Sequence, residues 1–425
     1  METKLEEFIR EHRHDDVRQL ALQAARYPDI DMQLALQQIA GWQTACTKLP
    51  EWAATDGIIY PPRLSMEQCS SEATAKYKAK VLGDGCWMLV DSSHTNNNKP
   101  PTPITHHPTP STIIDLTGGF GVDFSYMARG FQKAVYVERQ PHLCEAARHN
   151  FQLLGLENAE VVCGDGIEYL KNLLSPFRPP SPRTIYLDPA RRDENGKKTY
   201  AISDCTPDVV ALKDLLLEKA GRVMIKLSPM LDWHKAVDDL GEVVEVHIVS
   251  VDNECKELLL VLAKNPAAPL RVVCANIRHD AETELFEFFP SNDNLSIPLF
   301  PTLRERDFLY EPNASIMKAG CFAEVANRFG VQPTGSNSHL FLSPQFIPDF
   351  PGRKFQIEQV TSMNKKELKH VIGGLTKANI TVRNFPLSVA KLRKRLKLAD
   401  GGDTYIFATT LGEKDHVLLI TKQIF

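Results

Sequence analysis

Short apolar runs alternate with amphipathic stretches of helical length through the middle of the chain. Helix-sized segments separate the first five runs, which is the alternation of a parallel sheet covered by helices. These runs are Thr112–Asp115, Ala134–Glu138, Glu160–Cys163, Thr184–Asp188 and Arg222–Leu227. Two further runs, Val243–Val251 and Glu257–Ala263, are too close together for a helical crossover, so we expect an antiparallel hairpin at the sheet edge. The pattern predicts an α/β fold with a doubly wound, seven-stranded Rossmann-like sheet whose last strand is antiparallel.

The regions before this sheet have a different pattern. Residues 1–91 are predicted to form a helical N-terminal domain, because Met32, Leu36 and Ile39 recur at helical spacing after a capping residue, Asp29 or Asp31. Prolines dominate residues 92–110, and Ile104 is the single large apolar residue there, so this stretch is predicted to be a linker. The sheet domain is then expected to span residues 111–265.

The C-terminal part is predicted to contain two further α+β modules. The first, residues 266–345, includes an expected strand at Arg271–Ile277 and a helix at Ala314–Phe329. The second, residues 346–425, has a β-α-β-α-β-β pattern over residues 353–425. Asn364 and Glu367 have the spacing of a capping box at the first helix of that module.

The composition is that of a soluble protein with several domains. The chain has 425 residues, of which 43% are hydrophobic and 24% charged. No apolar run approaches the roughly 18 residues that a membrane span needs, and the charged N-terminus is unlike a signal peptide. Nine scattered cysteines without metal-site spacing favour reduced thiols. We therefore expect a cytoplasmic protein with no metal site; the oligomeric state stays open.

Charge is distributed unevenly. The chain has a net charge of −4, yet the stretch Arg353–Lys397 contains twelve Lys or Arg and only two Asp or Glu residues. Within it, a basic amphipathic helix is expected to bury Val389, Leu392 and Leu396 and to turn its cations outward. Such a run is either a solvated face or a site for a polyanion such as RNA. The candidate RNA-binding residues are Lys391, Arg393, Lys394, Arg395 and Lys397.

A glycine-rich turn follows the first predicted strand, in the sequence Asp115-Leu-Thr-Gly-Gly-Phe-Gly121. Glycines allow close approach of the backbone to a ligand, and the following helix N-terminus favours electron-rich groups. Asp115 is positioned to hold the amino group of such a ligand. The candidate binding residues of this turn are Asp115, Thr117, Gly118, Gly119 and Gly121, although such turns also occur as simple tight connections.

Three more acids follow the next strands. Glu138 ends the second strand, where a carboxylate accepts the ribose hydroxyls of a nucleoside. Asp165 follows the third strand, where it can accept an adenine amine, cap the next helix, or do both. Asp188 follows the fourth strand. Because the carboxyl ends of parallel strands share one edge, the spacing predicts a nucleoside site there.

The loop after the fourth strand carries the candidate reaction chemistry. We expect Asp188 to orient the N–H of an acceptor, together with a main-chain carbonyl near Pro189. Arg191 and Arg192 either clamp a phosphate or carboxylate or pair with neighbouring acids. Lys226 ends the fifth strand at the same edge and can face a substrate.

Together these residues resemble a class I S-adenosylmethionine (SAM)-dependent methyltransferase. Asp115–Gly121 match the first motif of that family, Glu138 its ribose acid, Asp165 its adenine acid, and Asp188-Pro189 its catalytic-loop motif. The resemblance implies SAM as cofactor. An antiparallel last strand also suits this family better than a nicotinamide-binding fold.

A narrower resemblance covers most of the chain. Asp188–Arg192, Lys226–Pro229, Asn253–Glu257 and Cys69–Lys78 are similar to a bacterial methyltransferase family with a ferredoxin-like module and a C-terminal THUMP-like domain. In this chain the ferredoxin-like module corresponds to residues 266–345 and the THUMP-like domain to residues 346–425. THUMP domains of other enzymes bind RNA, so the resemblance implies an RNA methyltransferase.

The acceptor atom is only partly defined by the sequence. A nucleobase nitrogen is favoured over pyrimidine C5, because C5 methylation needs a cysteine nucleophile and none lies between Asp165 and Arg192. Methyltransferases that act on exocyclic amines usually carry the four-residue motif Asp/Asn-Pro-Pro-aromatic. In this chain Ala190 and Arg191 occupy the third and fourth positions of that motif.

Three alternative functions remain compatible with the sequence. A methyltransferase for a small molecule or a protein would have a closed, apolar acceptor pocket. A nicotinamide-dependent oxidoreductase would need G-x-G-x-x-G, whereas this chain has G-G-F-G. A catalytically silent RNA-binding module would not need the four acids.

Overall fold

The computed structural model describes residues 2–83, 112–174, 183–191, 202–264, 269–290, 303–335, 337–412 and 414–424. The predicted linker, residues 92–110, lies outside them. The chain divides into two compact units, the first formed by Met1–Val246 with Leu258–Pro269 and the second by His247–Glu257 with Leu270–Phe425.

The N-terminal region is helical, as predicted. Its helices are α1 (Glu2–His12), α2 (Val17–Leu22), α3 (Met32–Lys48), α4 (Pro50–Ala54), α5 (Arg63–Gln68) and α6 (Glu72–Gly83). Asp31 rather than Asp29 caps α3, since its side chain accepts the N–H of Leu34 at 3.0 Å.

The central sheet has the predicted methyltransferase-like topology. Its strands are β1 (Thr112–Asp115), β2 (Lys133–Glu138), β3 (Ala159–Cys163), β4 (Arg183–Leu187), β7 (Arg222–Leu227), β8 (Val243–Val251) and β9 (Glu254–Leu262), and the short pair β5 (Ala190–Arg191) and β6 (Cys205–Thr206) stands apart. The order is β3-β2-β1-β4-β7-β9-β8, and two further strands continue the sheet beyond β8, so the sheet has nine strands and the predicted number of seven was wrong. Pairing is parallel from β3 to β7, and β9 runs antiparallel to β7.

Helices connect these strands. They are α7 (Val122–Met127), α8 (Pro141–Leu153), α9 (Gly166–Asn172), α10 (Val209–Lys219) and α11 (Trp233–Leu240). Short 3₁₀ turns occur at Ala24–Arg26, Ala128–Gly130 and Ile202–Asp204.

The predicted hairpin of β8 and β9 is present, but its position at the sheet edge was wrong. Asp252 and Asn253, both at positive φ, form its two-residue turn. Because β9 pairs with β7, it lies inside the sheet, and β10 (Arg271–Ile277) lies on the other side of β8. The base of the hairpin belongs to the first unit and its tip to the second.

The N-terminal helices share a core with the helix that follows the glycine-rich turn. Trp52 and Tyr60 pack with Phe120 and Tyr126 in one buried cluster. The buried side chain of Asn150 in α8 also accepts the N–H of Ile59 at 2.8 Å and donates to its carbonyl at 2.9 Å. The helical region is therefore continuous with the sheet domain.

The second unit contains the remaining elements. They are β10, β11 (Glu284–Phe288), β12 (Phe308–Pro312), α12 (Ala314–Ala319), α13 (Phe322–Phe329), β13 (Gln332–Pro333), β14 (Phe341–Ser343), β15 (Gly352–Thr361), α14 (Lys365–Ile372), β16 (Asn379–Arg383), α15 (Val389–Leu396), β17 (Thr404–Leu411) and β18 (Asp415–Ile424). The strands from β12 onward form a sheet in the order β13-β14-β12-β15-β18-β17-β16.

Local details of this unit differ from the sequence-based expectations. The β-α-β-α-β-β pattern is confirmed, but the single helix expected at Ala314–Phe329 was wrong, because Gly320 adopts a left-handed conformation and separates α12 from α13. Asn364 caps α14 through the N–H of Lys366, whereas Glu367 accepts from Ser362 rather than completing a capping box. Within the described residues, no helix is long and apolar enough to cross a membrane.

Candidate active site

The four acids predicted to line one edge of the sheet do come together at the carboxyl ends of β1 to β4. Asp115 ends β1 and Glu138 ends β2, and these are paired neighbours in the sheet. Asp165 follows β3, and Gly166 beside it packs against Leu116, where an added Cβ would lie 2.1 Å from the carbonyl oxygen. The backbone of Asp188 contacts the glycine-rich turn through Thr117.

The glycine-rich turn is shaped by the aromatic ring beneath it. A Cβ on Gly118 would lie 2.2 Å from the ring of Tyr136, and one on Gly121 would lie 2.7 Å from Phe151. Gly119 and Gly121 also have positive φ. The Tyr136 hydroxyl donates to the carbonyl of Gly119. Packing against Tyr136 of β2 and Phe151 of α8 therefore explains Gly118 and Gly121, and the N–H of Gly119 between them donates to Glu138.

Asp115 is a buried carboxylic acid with only 1% of its surface exposed. Its Oδ1 accepts the N–H of Thr117 at 2.9 Å. Burial raises the pKa of Asp115 to about 8; the Thr117 N–H opposes this shift, and the nearby carboxylates of Asp123, Asp188 and Glu138 add to it. A cation placed beside Asp115 would favour its charged form.

Both carboxylate oxygens of Glu138 are held by main-chain donors. Oε2 accepts the N–H of Gly119 and Oε1 accepts the N–H of Gln140, each at 2.9 Å. Each oxygen of a carboxylate can accept more than one hydrogen bond. Glu138 is thus oriented, while keeping acceptor capacity for two adjacent hydroxyl groups.

Asp165 caps α9. Its Oδ1 accepts the N–H groups of Ile167 at 2.8 Å and Glu168 at 3.1 Å. The residue is exposed, and Oδ2 makes no hydrogen bond within the described part of the chain. One oxygen therefore serves the helix, and the other can still accept a ligand amine.

Asp188 is half-exposed and paired with Lys226. The Asp188 Oδ2 lies 2.5 Å from the Lys226 ammonium, whose side chain is 13% exposed. Pro189 is buried beside it. The backbone of Arg191 pairs with Cys205, but its side chain and the whole of Arg192 lie outside the described residues.

Sequence reasoning missed the group next to Lys226. Asp123, in the first turn of α7, accepts hydrogen bonds from Tyr186 at 2.7 Å and Ser70 at 2.8 Å, and it lies 3.2 Å from Lys78. A signal was available for Lys78, because it falls on the buried stripe of α6, at helical spacing from apolar neighbours. Those neighbours are Ala75, Val81 and Leu82.

The predicted basic amphipathic helix is α15 in the second unit. Leu392 and Leu396 are buried, as expected, whereas Val389 is 38% exposed, so its expected burial was wrong. The side chains of Lys391, Lys394, Arg395 and Lys397 are exposed. Arg393 differs from them: its guanidinium donates to the carbonyls of Ala378 and Ala399 and to Asp400.

Comparison with known proteins identifies the C-terminal modules. A family model described as a ferredoxin-like domain matches residues 308–351, and one described as THUMP domain-like matches residues 352–423. No curated protein matches the chain.

Among solved structures, a "putative methyltransferase from Porphyromonas gingivalis W83" is 31% identical, covers 99% of this chain and 98% of its own, and has a TM-score of 0.82. An rRNA methylase from Streptococcus thermophilus is 16% identical over 45% of this chain and 94% of its own, with a TM-score of 0.28. The chain belongs to the family of the P. gingivalis protein, a methyltransferase family with a ferredoxin-like and a THUMP-like domain at its C-terminal end.

Proposed function

We propose that the protein is a SAM-dependent methyltransferase that acts on RNA, with a nucleobase nitrogen as acceptor. The observation that carries the cofactor assignment is the burial of Asp115 beside Glu138 at the end of two paired strands. A buried acid with a raised pKa is suited to a cationic ligand, and an oriented glutamate next to it is suited to a ribose.

Each acid then has a distinct binding role. Asp115 holds the ammonium group of the methionine part, Glu138 accepts the two ribose hydroxyls, and the Asp165 oxygen not used in capping accepts the adenine amine. Gly119 contributes through its N–H, which holds Glu138 in place. Thr117 connects this region to the loop that faces the acceptor.

The chemistry assigns Asp188 to the acceptor. When bound, SAM would supply an electrophilic methyl group on a sulfonium whose neutral thioether is a good leaving group. Asp188 accepts a hydrogen bond from the acceptor N–H and takes its proton as the nitrogen becomes positively charged. Lys226 occupies Oδ2 of Asp188, which leaves Oδ1 for the acceptor.

The RNA assignment is supported by the second unit. It contains the THUMP domain-like region and the exposed cations of α15 and its C-cap, which are Lys391, Lys394, Arg395 and Lys397. Lysine and arginine bind phosphates without regard to base sequence. Pyrimidine C5 is disfavoured as acceptor, since no cysteine lies between Asp165 and Arg192.

The deciding experiment is mass spectrometry of nucleosides from total RNA of cells with and without the protein. We expect one methylated nucleoside to be missing without it. Unchanged RNA, together with heat on titrating S-adenosylhomocysteine (SAH) into the purified protein, would favour a small-molecule or protein acceptor. Absence of heat with both SAM and SAH would contradict the cofactor assignment.

A further inference from the structure

Lys78 is a lysine whose side chain is fully buried in α6 of the N-terminal helical region. Its ammonium lies 3.2 Å from Asp123 Oδ1 and 3.3 Å from the Ser70 hydroxyl. Lysine is almost never fully buried unless it is paired, because desolvation of its charge is costly. A buried ammonium beside the candidate active site therefore needs a partner of opposite charge that offsets the cost of its burial.

Asp123 lies between two ammonium groups. Lys78 faces one of its oxygens, and Lys226 lies 3.8 Å from the other. Burial by itself would raise the pKa of Asp123, but Lys78 and Lys226, with hydrogen bonds from Tyr186 and Ser70, lower it below its ordinary value. Asp123 is thus a buried carboxylate in its charged form.

Lys226 in turn lies between two carboxylates, and it is closer to one of them. It is 2.5 Å from Asp188 and 3.8 Å from Asp123. Coulomb attraction is strong at short distance where water is excluded. The Lys226 ammonium therefore pairs more closely with the carboxylate whose charge is less balanced by another cation. Lys78 compensates Asp123, which leaves Lys226 to pair with Asp188.

We propose that Lys78 is a positioning residue of the methyl-transfer site. By balancing the charge of Asp123, it keeps Lys226 on Asp188 and so fixes the carboxylate that orients the acceptor. The proposal rests on the proposed function for the role of Asp188. In this proposal the Cys69–Lys78 segment of the N-terminal helical region contributes to the active site, because Ser70 and Lys78 both contact Asp123.

The first test replaces Lys78 with methionine, which has a similar length and no charge. In Lys78→Met, Asp123 should draw Lys226 away from Asp188. We expect kcat for methyl transfer from SAM to bulk RNA, isolated from cells lacking the protein, to fall roughly 10- to 100-fold, as for small displacements of catalytic groups. The SAH dissociation constant should stay within about twofold. Lys80→Met is the matched control, because Lys80 is exposed on the same helix.

The second test restores charge balance. In Lys78→Met/Asp123→Asn the charge of Asp123 no longer competes for Lys226, and the amide oxygen can still accept from Ser70 and Tyr186. We expect this double variant to regain most of the wild-type activity. Because it is compared with the wild type, it tests the proposal even if Lys78→Met alone does not fold. Wild-type activity in Lys78→Met, or a folded double variant without recovered activity, would overturn the proposal.

A third readout needs no acceptor. The ¹³C signal of the Asp188 carboxyl carbon, assigned with Asp188→Asn, reports its contact with Lys226. We expect this signal to move by more than its linewidth in Lys78→Met, to return in the double variant, and to stay in place in Lys80→Met. If the wild type transfers no methyl group to RNA, the proposed function fails, yet this signal still tests the positioning role. An unmoved signal would contradict it.

Discussion

The side chain of Thr117 accepts a hydrogen bond of 2.7 Å from the backbone N–H of Asp188. This contact joins the glycine-rich turn after β1 to the loop after β4, across 71 positions of sequence. The hydroxyl of Thr117 also lies 3.4 Å from Asp115. One residue thus connects the acid proposed to bind the cofactor with the acid proposed to face the acceptor.

Replacing Thr117 tests this connection. Thr117→Val keeps the shape but leaves the Asp188 N–H without its acceptor, which should lower the free energy of unfolding by about 1–3 kcal/mol and reduce methyl transfer. Thr117→Ser keeps the hydroxyl and should stay close to wild type in both. Urea unfolding and a methyl-transfer assay measure the two effects. Equal behaviour of the two variants would contradict the role of the hydroxyl.

The raised pKa of Asp115 predicts a pH dependence of stability. The folded protein keeps a proton on Asp115 up to about pH 8, whereas the unfolded chain releases it near the ordinary value of 3.8. Its contribution to the free energy of unfolding is therefore fully present at low pH and is lost progressively as the pH rises through this window. Asp115→Asn should flatten this part of the profile, measured by urea unfolding.

The same group predicts how binding depends on pH. A cationic ligand favours charged Asp115, so SAH should raise the melting temperature more at about pH 8 than at about pH 6. In Asp115→Asn the rise should be smaller and independent of pH over this range. Thermal unfolding with and without SAH measures the effect. A rise that is larger at the lower pH would show that Asp115 does not bind the ammonium group.

Glu138 should be needed for cofactor affinity more than for folding. Glu138→Gln keeps one acceptor oxygen for a backbone N–H, places its amide nitrogen against the other backbone N–H, and loses the charged acceptor for the second hydroxyl. We expect SAH to bind about tenfold or more weakly, since hydrogen bonds to charged groups contribute about 1.5–3 kcal/mol. Glu145→Gln, an exposed position on the following helix, is the control. Calorimetry measures both, and equal affinities would exclude Glu138 from the cofactor site.

Asp188→Ala should separate chemistry from cofactor binding. The variant loses the carboxylate that orients the acceptor, while Asp115 and Glu138 stay in place. We expect methyl transfer to fall below detection and the SAH dissociation constant to stay within about threefold. Radiolabelled methyl transfer and calorimetry give the two values. Full activity would remove Asp188 from the mechanism.

The cations of α15 should divide into two kinds. Charge reversal of the exposed cations should weaken binding to bulk RNA; these are Lys391, Lys394, Arg395 and Lys397. The slope of log binding constant against log salt concentration should become shallower by roughly 0.7–0.9 for each phosphate that is no longer neutralised. Arg393→Ala should instead lower stability, because its guanidinium satisfies the carbonyls of Ala378 and Ala399. Filter binding across a salt series and urea unfolding separate the effects. Unchanged RNA affinity in the reversed variant at low salt would contradict RNA binding by this helix.

Patterns along the chain were enough to predict the parallel strands of the sheet and its acidic edge. Strand positions follow from apolar runs, and in a parallel sheet the acids at the ends of consecutive strands must lie at one edge. Asp115, Glu138, Asp165 and Asp188 could therefore be grouped from their order and spacing alone. The cap at Asp165 was also predictable, because capping depends on residues next to one another.

Tertiary structure decided the contacts that join distant segments. Lys78 and Asp123 are 45 positions apart, and only packing of α6 against α7 brings them to 3.2 Å. The same holds for Gly118, whose lack of a side chain is required by the Tyr136 ring, and for Arg393, which folds back onto two carbonyls instead of facing outward. Local periodicity defines which face of an element is buried, but the partner that satisfies a buried charge depends on the three-dimensional arrangement of the whole unit.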